Sequence, residues 1–242
     1  MKFGEIGSSF RNIVRYAAGG AFLLMLASCG GGGGSPGTVA GGSGSSVGSV
    51  SLIFSSPELK SAGTPGNEVT VTALVKNAQN NALQGVDVKF VADSGALSGV
   101  EAKSDKNGQA KAMLGTSGDR TNRTITVSVQ AGGKSASGTV NVVGTTVTTA
   151  GPTAISAGST GEFTITVKDS ANAAVANAPV NYSSQRGNPI MVKNSGGGSS
   201  TVPLTNSQGQ VVLVLTASQA GNDSLLISAQ GATTTSSISV NA

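Results

Sequence analysis

The chain has 242 residues, enough for one or two ordinary domains, with no histidine or tryptophan and only 3% aromatic residues. Its 36 glycines keep no three-residue period, which excludes collagen. With 15 basic against 11 acidic groups and no run of Lys and Arg interleaved with aromatics, nothing supports nucleic-acid binding, and the lack of histidine excludes imidazole bases and histidine-based metal sites.

Residues 1–28 read as a processing segment rather than as part of a fold. Lys2, Arg11 and Arg15 precede an apolar and small run from Tyr16 to Ala27. That run is too short to cross a bilayer, which takes about 20 residues. It ends Leu26-Ala27-Ser28-Cys29, which resembles the lipobox of bacterial lipoproteins. The resemblance implies cleavage before Cys29, acylation of its thiol and anchoring in membrane lipid, with Gly30 after the cysteine pointing to the bacterial outer membrane. Burying acyl chains at about 0.8 kcal/mol per methylene makes such an anchor stable once more than one chain is attached. Cys29 is the only cysteine, so no disulfide can form within one chain.

Residues 29–49 form the lipid-bearing cysteine and a Gly/Ser-rich tether. A coil of that composition has an r.m.s. reach of roughly 20–25 Å. The remainder shows no amphipathic helix and many short Val/Ile/Thr runs between turn residues, an all-β pattern. Val69–Val75, Val86–Phe90, Ile125–Val129 and Thr139–Val142 alternate with period two, as do Phe163–Val167 and Ser237–Val240. Val211–Leu215 is apolar throughout.

These runs repeat. VTALVKN at Val71 aligns with FTITVKD at Phe163, and Val86 and Val88 with Val180 and Tyr182. Lys106–Leu114 aligns with Ser207–Leu215, and Val129–Gly133 with Ala229–Thr233. The offset drifts through 92, 94, 101 and 100, which points to an insertion around 187–200 in the second copy. Residues 66–93 and 103–131, with their second copies at 158–183 and 205–230, resemble the bacterial Ig-like domains of the intimin/invasin type, also called Big-1. The resemblance implies tandem immunoglobulin-like β-sandwiches without disulfides, at 50–143 and 146–242. The short link between them implies end-to-end stacking.

Val71, Ala73, Val75, Val86, Val88, Phe90, Ala112, Leu114, Val127 and Val129 are the expected first core. Phe163, Ile165, Val167, Val180, Tyr182, Val212, Val214, Leu225 and Ile227 are expected in the second, although VVLVL leaves its own phase open. Asp105–Gly108 and Asn206–Gly209 read as hairpin turns.

No catalytic set, cofactor or metal site is expected. No Ser-His-Asp arrangement can exist, and the spacing of Asp93, Glu101, Asp105 and Asn107 matches no calcium loop. The expected function is therefore non-enzymatic: an exported, lipid-anchored spacer or adhesion-type module of the cell envelope. Alternatives are a protein- or glycan-binding module or an accessory subunit of a surface fibre. Under the binding reading, Tyr182, Gln185, Arg186 and Asn188 carry the contacts, together with residues 196–200. A single nearby aromatic favours an extracellular or envelope protein over a sugar.

Overall fold

The computed structural model describes residues 46–194 and 202–242, and every regular element in them is a strand. The first eight are β1 (Val47–Phe54), β2 (Glu58–Lys60), β3 (Val69–Asn77), β4 (Val88–Ala92), β5 (Ala96–Ser98), β6 (Gln109–Gly115), β7 (Arg123–Ala131) and β8 (Lys134–Val143). β1 opens at Val47, so the end of the glycine-rich stretch is already strand. They form two four-stranded sheets, ordered β1-β3-β6-β5 and β2-β8-β7-β4. Pairing is antiparallel except between the short β2 and β8, which run parallel. The strands form where β-branched residues alternate with polar ones, and the inward set of each sheet faces the other. Val71, Ala73, Val75, Ala112, Leu114, Ile125, Val127 and Val129 are wholly buried between them. Val86 sits at the margin, packed against this core but partly exposed.

The other eight are β9 (Thr146–Ala150), β10 (Ala154–Ser156), β11 (Thr160–Lys168), β12 (Val180–Ser184), β13 (Ile190–Asn194), β14 (Gln210–Thr216), β15 (Gly221–Ala229) and β16 (Ala232–Asn241). Their sheets, β13-β14-β11-β9 and β10-β16-β15-β12, reproduce the first pair strand for strand, including the parallel β10–β16 pair. The chain is thus two immunoglobulin-like sandwiches of one topology.

The registers correct the alignment of the copies. Val88 pairs with Ala131 where Val180 pairs with Ala229, so Val88 corresponds to Val180 and Phe90 to Tyr182. The sequence alignment is out by two residues there and again in β7, where Ala131 rather than Val129 corresponds to Ala229. A slip of two leaves every side chain on its own face, so the hydrophobic pattern cannot detect it. In the second core Val211, Leu213 and Leu215 are buried, whereas Val212 and Val214 face outward beside Thr164 and Glu162. Tyr182 is only half-buried.

The duplication extends to single atoms. Asp105 Oδ1 accepts from the backbone N–H of Asn107 and Gln109, and Asn206 Oδ1 accepts from those of Gln208 and Gln210. Gly108 and Gly209 have φ of 72° and 71°, and a Cβ on either would lie 2.5 Å from the carbonyl oxygen of Val75 or Val167. Only glycine meets both demands. These turns do not close simple hairpins. Residues before them bridge to the β4 and β12 side (Asp87 to Lys103, Pro179 to Leu204), and the turn then carries the chain into β6 or β14 of the opposite sheet. Ser104 and Thr205 brace this crossing alike: each hydroxyl donates 2.6 Å to a carbonyl oxygen, of Leu83 and Val175 respectively.

Both sandwiches belong to one compact unit, and only Gly144 and Thr145 separate β8 from β9. Asn122, in the β6–β7 loop, grips the linker: its amide donates 2.8 Å to Thr145 O and accepts 3.0 Å from Thr145 N–H. The same loop reaches the second sandwich. Arg120 Nε lies 3.0 Å from Asp169 Oδ2, Asn122 N–H donates 2.9 Å to Gln230 O, and the Thr121 hydroxyl donates to the Gln230 side chain. Ser170 bonds twice to the loop after β2: its N–H donates to Ser61 Oγ, and its Oγ accepts from Ala62 N–H.

Candidate functional site

Leu26, Ala27, Ser28 and Cys29 lie outside the described residues, as do 195–201, which include the whole 196–200 loop. The remaining expected residues come together at the end of β12, whose strand partner is β15 and whose Val180 N–H also donates to Pro203 O at its start. Tyr182 pairs with Ile227 and packs against the second core, so its ring is partly committed to the interior. Gln185 N–H donates 2.9 Å to Ser224 O and ends the pairing. A turn through Arg186 and Gly187 (φ 75°) then leads to β13.

That turn is held by a carboxylate the sequence reading missed. Asp223 is buried at the start of β15. Its Oδ2 accepts from Ser184 Oγ at 2.6 Å and from Asn188 Nδ2 at 2.7 Å, and its Oδ1 accepts from Arg186 N–H at 3.0 Å. Burial pushes the carboxyl up. The bonds from Ser184, Asn188, Arg186 and Ser224 outweigh it and hold Asp223 below the ordinary carboxylate value. Asn188 is 3% exposed, and its Oδ1 accepts from the backbone N–H of Ser218 and Gln219. It therefore ties the β14–β15 loop to the turn from inside, without touching solvent. Gln185 and Arg186 are exposed.

The corresponding positions of the first sandwich are Ala92, where Ser184 stands, and Ile125, where Asp223 stands. One copy thus fills this end with hydrocarbon, the other with a closed polar network. The signal for it was present. Leu225 and Ile227 fix the inward phase of β15, and period two then points Asp223 inward.

Asp93, Glu101, Asp105 and Asn107 do not converge. Asp93 accepts from Thr126 N–H, Glu101 from Lys111 N–H, and Asp105 caps its own turn. Among the described residues no group of three or more His, Cys, Asp or Glu could hold a metal ion.

The architecture defines the class, a tandem of immunoglobulin-like domains. Residues 38–143, which take in the first sandwich, match the family model of the bacterial Ig-like domain (group 1), and the second sandwich repeats the topology of the first. Among solved structures, the Yersinia pseudotuberculosis adhesin InvE is similar at 18% identity and a TM-score of 0.52, covering 84% of this chain and 62% of that one. Invasin, a bacterial integrin-binding protein, is similar at 13% identity, with a TM-score of 0.41 and coverage of 81% and 41%. The Escherichia coli adhesin FdeC is similar at 22% identity, with a TM-score of 0.35 and coverage of 80% and 63%. The chain spans less than two thirds of each, and the likeness to InvE is one of fold. None of the curated proteins matches the chain in sequence.

Proposed function

We propose that this protein is a non-enzymatic, adhesion-type module of the bacterial cell envelope, held in membrane lipid through acylated Cys29 and presenting its second sandwich to an extracellular or envelope protein. The observation that carries the reading is the junction. Two Ig-like domains with a two-residue linker are bonded directly to each other through Arg120, Asn122, Asp169 and Ser170. That arrangement suits holding one domain at a fixed place relative to the other. The lipobox-like sequence at 26–29 supports the anchor, and the similar fold of the adhesin InvE supports the adhesive role.

Intact-mass spectrometry of membrane-extracted protein, with protease accessibility on whole cells, tests this. The expected outcome is a mass that begins at Cys29 plus acyl chains, with cleavage of the second sandwich from outside. An uncleaved or unacylated N-terminus overturns the anchor. An acylated protein wholly protected in intact cells overturns surface display.

A further inference from the structure

Charge is placed unevenly on the two sandwiches. In the second, Lys168, Arg186 and Lys193 balance Glu162, Asp169 and Asp223. In the first, five lysines gather at the end where β1 opens. Val47 pairs there with Asn77 and lies against Gly132 of the β7–β8 turn, while Gly48 lies against Ala78. Lys76 bridges to Ala82, Lys89 pairs with Gln130, and Lys134 pairs with Ala131 across that turn. Lys103 and Lys106 belong to the crossing whose Gly108 sits under the Val75 carbonyl, again at this end. Against the five stand only Asp87, 2.6 Å from Lys103, and Asp105, whose carboxylate caps its own turn. Elsewhere on the first sandwich Lys60, Lys111, Arg120 and Arg123 are outnumbered by Glu58, Glu68, Asp93, Glu101 and Asp119. The positive surplus of the described residues thus lies wholly at the tether end.

Lys89, Lys106 and Lys134 are exposed, and neither they nor Lys76 form an ion pair with any described residue. Like charges gathered without counter-charges repel one another, so the fold gains nothing from collecting them. An extended anionic surface relieves that repulsion and attracts all of them at once. No aromatic residue stands among 76–89, 102–108 or 131–135, so this end offers nothing on which nucleic-acid bases could stack. The chain from Cys29 enters the fold at this same end. Its 18 steps to Val47 cannot span more than about 65 Å in any conformation. Electrostatic attraction fades within about 8–10 Å at physiological salt, but a tether of this length keeps the end at high local concentration beside the lipid that bears Cys29.

We infer that the tether end of the first sandwich docks on the anionic headgroups of the membrane that holds Cys29. Lys89, Lys106 and Lys134 carry the contact and Lys76 adds to the field, while Lys103 is offset by Asp87. The contact is end-on. β8 leaves the opposite end of the sandwich at Val143, so docking turns the second sandwich away from the lipid. The acyl chains supply attachment and the lysines supply orientation. The inference rests on the reading of Cys29 as an acylated anchor.

The test uses the chain from residue 29, which keeps the whole compact unit of both sandwiches, with Cys29→Ser so that no acyl chain contributes. Co-sedimentation is measured with vesicles of phosphatidylcholine alone and of phosphatidylcholine with an equal share of phosphatidylglycerol. Five lysines against two aspartates, at about fivefold per net charge, give an expected preference for the anionic vesicles on the order of a hundredfold at low salt, shrinking as salt rises. Lys89→Gln, Lys106→Gln and Lys134→Gln together should abolish that preference with an unchanged melting temperature, since all three side chains are exposed. Lys60→Gln, Lys168→Gln and Lys193→Gln together remove the same formal charge elsewhere and should keep it within a few-fold. Equal binding to both vesicles, or an equal loss in the two triple variants, overturns docking by this end. Tighter binding to soluble polyphosphate than to vesicles of equal phosphate content overturns a lipid surface as the occupant. Acylation and surface display are decided separately by the mass and protease experiments, so a failed anchor and a failed docking end are told apart.

Discussion

Asp169 Oδ2 lies 3.0 Å from Arg120 Nε across the junction, while its Oδ1 accepts from Ala171 and Ala173 N–H within its own loop. The matching residue of the first sandwich is Asn77, whose Oδ1 makes the same two loop bonds, to Gln79 and Asn81. The change from amide to carboxylate leaves the loop cap intact and frees the second oxygen to hold a neighbouring domain. Asp169→Asn should therefore keep its loop and weaken the junction, whereas Arg120→Ala strands a carboxylate whose side chain is 2% exposed. With Arg120 half in solvent, the cost should be about 1–2 kcal/mol. A double-mutant cycle on thermal unfolding measures it, and additive single effects would show the pair to be inert.

Gly231 tests the same contact by shape. Its φ is 70°, and any Cβ there would strike the Asn122 carbonyl oxygen. Gly231→Ala should leave each sandwich folded but split one calorimetric transition into two. A single unshifted transition would mean that the junction does not couple the domains.

The crossing turns provide a paired experiment. Gly108→Ala and Gly209→Ala should each cost at least about 1–2 kcal/mol from the left-handed backbone alone, with the approach to the Val75 or Val167 carbonyl adding more. Denaturant unfolding should show similar losses for the two. A large difference would mean that the copies, alike in geometry, do not share their energetics.

In β14 the phase can be tested directly. Leu213→Ala removes a wholly buried side chain and should cost about 2–5 kcal/mol. Val212→Ala, on the outer face beside Thr164, should cost less than about 1 kcal/mol. Reversed magnitudes would put the strand in the other register. This is also where legibility from sequence ended. Alternation in Val69–Val75 and Phe163–Val167 announces which side chains go inward, and the cores there are as expected. Val211–Leu215 is apolar on both faces, so its phase emerges only from pairing with β11. The two-residue slip between Val86 and Val88 was silent for the same periodic reason. The junction was illegible because Arg120, Asn122 and Asp169 lie in loops, where no period relates one residue to another. Asp223 could have been read, but its neighbours Asn222 and Ser224 give it the look of a turn.

The Asp223 network makes the second sandwich sensitive to acid. Its bonds favour the ionised carboxylate, so the folded value lies below the ordinary 3.8. Their contribution is complete above the unfolded value and is lost as pH falls through the folded one. Thermal melts from neutral pH down to about pH 2 should show the second sandwich losing stability in that window, and Asp223→Asn should flatten this part of the profile. An unchanged profile in the variant would remove Asp223 as the titrating group.

The parallel pairs give the molecule a mechanical character. In each sandwich the second strand lies beside the last and runs parallel to it. Glu58–Lys60 lies parallel to Asn141–Val143, and Ala154–Ser156 lies parallel to Ser239–Asn241. Strands so arranged are dragged past each other lengthwise, so their hydrogen bonds share the load and break together rather than one at a time from an end. A pull that draws β2 toward its N-terminal side and β8 toward its C-terminal side thus loads that pair in shear, and β10 with β16 repeats the arrangement.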